Sequence, residues 1–151
     1  MTSTFQARDP GFEARVRASF AAQAAMRTIG AEVEHVAAGE VDVRLPFRDD
    51  LTQQHGFVHA GMIGAIADSA AGYAAYTLMP ADAAVLSVEY KLNLMAPAAG
   101  EAFVARGRVK KAGRTLTVCT ADVFAVRDGE ERLVATMLAT MMTVMDRGLS
   151  G

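Results

Sequence analysis

The stretch from Leu51 to Ala81 contains no Lys, Arg or Glu and a single Asp, Asp68, set among Ala, Gly, Ile and Met. That run constrains the fold more than any other. The part from 60 to 79 is as long as a membrane span, but Ala and Gly are weakly hydrophobic and a charge near the middle is costly in lipid, so a helix buried in protein is the better reading. Small side chains let such a helix come close to a second layer. The rest of the chain has to supply that layer.

It supplies strands. AEVEHVAAGEVDVRLPF alternates Val33, His35 and Val41, Val43, Leu45 with charged neighbours around Ala38-Gly39, the pattern of two strands joined by a tight turn. After Pro80, which cannot continue a helix, come AVLSVEYKLNLMAP, EAFVARGRVKKAG, RTLTVCTADVFAVRDG and ERLVATMLATMMTVM, separated by turn signals that join antiparallel neighbours. Upstream, Phe12, Val16 and Phe20 are four apart, with Gly30 as a stop signal, and predict one amphipathic helix over 11–27. The order implies an α+β plan, an antiparallel sheet wrapped around the central helix, in a single domain over 1–151.

Composition narrows the partners. The formal charge of −2 gives no general attraction to nucleic acid or to an anionic membrane. The lone cysteine, Cys119, has no partner for an internal disulfide and sits in a strand pattern, which fits a reducing compartment. MTSTFQARDP lacks the basic start and apolar core of a signal peptide, so a cytoplasmic location is expected.

HGFVHAGMIGAIADSAAGYAA, followed about twenty residues on by VLSVEYKLNLMAPAAGE, resembles the PaaI-like thioesterases of the hotdog-fold superfamily over roughly Ala31 to Val144. The resemblance implies hydrolysis of an acyl-coenzyme A thioester, with coenzyme A as part of the substrate and no other cofactor. It also implies a homodimer or homotetramer with each active site between two subunits. Carried over by position, Asp68 is the catalytic carboxylate, acting as general base or nucleophile. Ala60 offers a backbone N–H to the carbonyl oxygen beside Gly61, Gln53 helps hold that oxygen, and Ser87 helps orient the attacking water. In the family Asp68 and Ser87 face Gln53 and Ala60 across the subunit boundary.

Physical reasons stand beside the resemblance. Thioester hydrolysis builds negative charge on the carbonyl oxygen, and a helix N-terminus at Ala60 and Gly61 presents unpaired N–H groups and a positive dipole end. Asp68, about two turns into the helix, lies roughly 10 Å along the axis from that end. A partner helix would supply the missing half. The chain departs from the usual HGG pattern at Ala60, which keeps the donor but places a methyl group beside the thioester.

The remaining candidates carry blander readings as well. His59 either contacts substrate or fixes the turn before the helix, His55 lines the pocket or closes the loop, and Gln54 replaces Gln53 if the loop shifts by one. Arg114, with Lys110 and Lys111, flanks a turn where coenzyme A phosphates could lie, or else decorates a solvated hairpin. Tyr73, Tyr76 and Met79, like Met137, Met141, Met142 and Met145, suit either an acyl pocket or the core. His55 and His59 lack a third metal ligand at suitable spacing, and nothing near Cys119 would lower its pKa. Two other functions remain open at this point: a hotdog hydratase, which usually has His where Tyr73 stands, and a non-catalytic acyl-CoA binding protein.

Overall fold

The computed structural model describes residues 4–146, 148 and 149. Its centre is the small-residue helix, α3 (Ala60–Tyr76), preceded in chain order by α1 (Phe12–Ala22), α2 (Ala24–Ile29), β1 (Glu32–Ala37) and β2 (Glu40–Pro46). β3 (Ala84–Leu94), β4 (Ala102–Ala112), β5 (Leu116–Arg127) and β6 (Glu130–Val144) follow it. The strands form one six-stranded sheet in the order β1-β2-β4-β5-β6-β3, antiparallel at every pairing. The sheet curls round α3, as the strand pattern predicts.

Ile66, Ala67, Ala70, Ala71, Ala74 and Ala75 of the helix have no exposed surface, and Val41, Val43, Leu45, Phe103, Ala105 and Val123 of the sheet are equally buried. Contact between the layers is close enough to need a glycine. A Cβ at Gly107 in β4 would fall 2.1 Å from the Ala70 carbonyl oxygen, inside the helix backbone. Alanines on one side and Gly107 on the other thus set how deeply the helix sinks into the sheet.

The helix stops at Tyr76, a turn before Pro80. The helix's last carbonyl and the turn after it are tied to α1: the Arg15 guanidinium donates to the oxygens of Tyr76 (3.3 Å) and Met79 (3.0 Å). The buried Thr77 hydroxyl donates to the Ala74 oxygen and accepts from the Gly39 amide, each at 2.7 Å, which pins the β1–β2 turn to the helix end.

The single helix expected over 11–27 is divided. Gln23, with ψ near 105°, separates α1 from α2, and Gly30 in the left-handed region (φ 79°) ends the second. The alanines on either side give no breaking signal; at the break the Gln23 side chain turns inward and bonds Tyr73 of α3.

β3 lies at an edge of the sheet, paired only with β6. Its side chains Leu86 (47%), Val88 (53%), Tyr90 (49%) and Leu94 (54%) are half exposed. A long apolar edge strand with unpaired backbone groups is a template for another chain. Among the described residues, no helix is long and apolar enough to cross a membrane.

Candidate active site

Asp68 sits midway along α3 on the side that meets β3, and the Ser87 hydroxyl donates to its Oδ1 at 2.7 Å. The pair lie 19 positions apart in the chain. The pairing register of β3 with β6 shifts between Ser87 and Glu89, so an extra residue, Val88, stands next to the serine. A bulge of this kind re-aims neighbouring side chains. Burial pushes the Asp68 carboxyl above the usual carboxylate range, and the Ser87 hydrogen bond pulls it partly back. Because the Ser87 proton is committed to Asp68, the serine oxygen has only lone pairs left to offer. Both residues line a cavity of about 490 Å³ with Ser69, Tyr73, Ser19 and Gln23.

The helix N-terminus is a second locus. His59 is the N-cap, and its Nδ1 accepts from the Gly61 amide at 2.8 Å. The Met62 and Ile63 amides both donate to the His59 carbonyl oxygen, at 2.9 and 3.3 Å. Of the first four helical N–H groups, only that of Ala60 has no hydrogen-bond partner among the described residues. An unused donor at the positive end of a buried helix is suited to a developing oxyanion. A Cβ at Gly61 would lie 3.0 Å from His59 Nδ1, so this glycine makes room for the cap and Ala60 keeps the free amide.

Gln53 faces the same place. Its Oε1 accepts from the His55 amide, which leaves the side-chain NH2 as the group available to a ligand. Gln53 and Ala60 line a separate cavity of about 420 Å³ with Ile63, Leu94 and Met95, whereas the adjacent Gln54 is exposed and outside it. Within one chain, then, Asp68 and Ser87 occupy one cavity and Gln53 and Ala60 another.

The other sequence candidates fall elsewhere. His55 is exposed and lines neither of these cavities. Arg114 is exposed at the β4–β5 turn, beside a small hollow shared with Arg8 and Met79; it does not line the Asp68 cavity, but it lines a neighbouring one of about 540 Å³ that shares Leu86 and Leu149 with it. Arg106 and Arg108 of the same basic run are held by Glu131 and Asp42. Tyr76, Met137 and Met141 are core, and Cys119 is buried in β5 with its thiol pushed up to about 12 by burial, a poor nucleophile. No group of three His, Cys, Asp or Glu side chains among the described residues could hold a metal ion. Tyr73 lines the Asp68 cavity, as do Ser19 and Gln23, for which the sequence carries no signal: one is a serine on an amphipathic helix and the other interrupts a run of alanines.

Comparison with known proteins gives a consistent picture. The family model described as the thioesterase superfamily matches residues 55–132. A thioesterase family protein from Silicibacter pomeroyi is 51% identical, with a TM-score of 0.88 over 90% of this chain and 100% of that one. A conserved protein from Pseudomonas aeruginosa is 27% identical, with a TM-score of 0.74 over 81% of this chain and 94% of that one. The E. coli PaaI protein, from the phenylacetic acid degradation operon, shares the fold at 18% identity, with a TM-score of 0.78 over 88% of this chain and 93% of that one.

Proposed function

The chain belongs to the thioesterase superfamily and has its α+β hotdog fold, and from that premise we propose that it hydrolyses acyl-coenzyme A to the free acid and coenzyme A. The observation that carries the reading is Asp68, a desolvated carboxylate bonded to Ser87 in a cavity, on a helix whose first amide is unused. A water beside Asp68 would give one proton toward the carboxylate and the other toward a lone pair of Ser87, which turns its own lone pair to the thioester carbon. Attack moves the carbonyl electrons onto oxygen, where the Ala60 amide and the Gln53 NH2 stabilise the charge; one such donor contributes roughly 3 kcal/mol in the transition state. The tetrahedral intermediate then expels the thiolate, which takes the proton from Asp68. No metal or redox group is needed in this scheme. Direct attack by the same carboxylate on carbon requires nearly the same position.

The two loci lie two turns apart on one helix, too far to act on one carbonyl. We assign each active site to Asp68 and Ser87 of one subunit with Gln53 and Ala60 of another. The half-exposed apolar edge of β3 supports that pairing, and a monomer should be inactive.

Release of free thiol from phenylacetyl-, benzoyl-, hexanoyl- and palmitoyl-CoA, measured beside the Asp68→Asn variant, tests the proposal. Turnover is expected for at least one ester and should fall by about three orders of magnitude or more in the variant, with acyl-CoA binding largely retained. Binding without turnover in the wild type would make the protein an acyl-CoA binder. Full activity in the variant would remove Asp68 from the chemistry.

A further inference from the structure

The Asp68 cavity has a neighbour. It shares Leu86 of β3 and Leu149 with a second cavity of about 540 Å³, which Thr115, Met142, Thr143 and Met145 also line. Leu149 belongs to no helix or strand. β6 ends at Val144, opposite Ala84 of β3, and the chain then passes through Asp146 (φ 54°) and Gly148 (φ 66°). Both lie in the left-handed region, and two such residues within three positions turn a strand from its line. Leu149 follows that turn onto the wall of both cavities.

The segment carries one anchor. From Asp146 to Gly151 it reads DRGLSG, and Leu149 is its one large apolar side chain. A single exposed leucine on a protein surface needs no explanation. This one is 50% exposed and borders two cavities at once, so part of its uncovered surface faces the space between them. One half-covered leucine offsets little of the entropy lost in ordering a segment of chain. A ligand passing beneath it would cover the rest of the side chain and hold the segment down.

We propose that the segment after β6 is an arm that closes over bound substrate, with Leu149 touching the substrate chain where it passes from the Asp68 cavity into its neighbour. Leu86, fixed in β3, is the opposite jaw. The inference rests on the acyl-CoA reading for its ligand and on the shared cavity wall for its geometry. Leu149 has no polar group to offer the thioester, so it holds substrate and transition state alike, and its effect falls on KM rather than kcat.

Leu149→Ser keeps the segment and removes the apolar contact; the side chain is half exposed, so the fold is not at stake. Covering half a leucine corresponds to roughly a fivefold change in affinity. Measured on each of phenylacetyl-, benzoyl-, hexanoyl- and palmitoyl-CoA that is turned over, KM should rise about fivefold, with kcat within about a factor of two and an unchanged Tm. Leu149→Met, which restores an apolar chain of similar length, should recover most of the loss. A KM that stays level in Leu149→Ser would overturn the proposal, and so would one that falls, because the segment would then obstruct the cleft. Calorimetric binding of the same four esters to the Asp68→Asn protein, alone and combined with Leu149→Ser, separates the two readings. Weaker binding with the serine and no turnover in the wild type would sink the hydrolase and keep the arm. Turnover with equal binding would sink the arm and keep the hydrolase, and binding of none of the four would sink both.

Discussion

The two ends of the α3 site are built by opposite means. At the N-terminus everything is local: His59 caps Gly61, its carbonyl takes the next two amides, and Ala60 is left with a free donor, all within five residues. Around Asp68 everything is distant: Ser87 comes from an edge strand, and the wall of Ser19 and Gln23 comes from a helix pair nearly fifty residues upstream. The local end is backbone, with its charge already in place. The distant end is side chains in a half-buried cavity, where desolvation sets the proton affinity. A hydrolase needs both, an anion site that is fixed and a base that is tuned.

The sharpest way to break this comparison is to disable each end in a different subunit. Asp68→Asn and Ala60→Pro proteins should each be inactive. Hybrid dimers purified through two different tags should regain up to about half of wild-type activity, since each has one intact pairing of ends. Hybrids as inactive as their parents would place both ends of a site in one chain.

Ala60→Pro is informative by itself. Proline suits the first position of a helix and removes only the N–H, and His59, at φ −59° and ψ 138°, already has the extended conformation that a following proline requires. Loss of about 10²–10³ in kcat with unchanged melting is expected. Wild-type kcat in a folded variant would remove Ala60 as the oxyanion donor.

At the acid end, Ser87→Ala deletes the hydrogen bond that holds the Asp68 pKa down against burial. The carboxylate must be ionised to act, so kcat/KM should rise with pH through its pKa. Without Ser87 that rise should move to higher pH, with a loss of about tenfold at the plateau. An acidic limb that stays put would show that the serine does not set the base.

The smallest effects are on stability, and they should have opposite signs. His59→Ala removes an N-cap and should lower Tm by about 2–4 °C. Asp68→Asn removes a desolvated charge. Because the folded-state pKa is raised, the folded protein holds that proton more tightly than the unfolded chain; the favourable contribution is full below the unfolded pKa and lost as pH rises through the folded one. The Asn variant should therefore melt at or above the wild type near neutral pH, by about 2 °C, and the gap should close in acid. Equal melting curves at both pH values would show that Asp68 is better solvated than its position implies.

Much of this molecule was legible from residue order, for a common reason. Helix and strand periods, turn glycines, the small-residue run and the HAG start of α3 are all encoded within a few residues, where local sterics and hydrogen bonding decide. Thus the α+β plan, the buried helix, the position of Asp68 and the candidate donor at Ala60 followed from the sequence and its family resemblance. What lay outside that reach depends on contacts between distant segments. The break at Gln23 has no local breaker, the bulge beside Ser87 exists only in pairing with β6, and His59 could be read as cap or ligand until Gly61 was seen to fill its Nδ1. The two cavities, and the polar wall of one of them, arise where α1, α2, α3 and β3 converge. Sequence alone determined which groups the helix carries; tertiary packing decided which of them are buried, paired or left free, because burial and hydrogen-bond partners are properties of surfaces that only folding brings together.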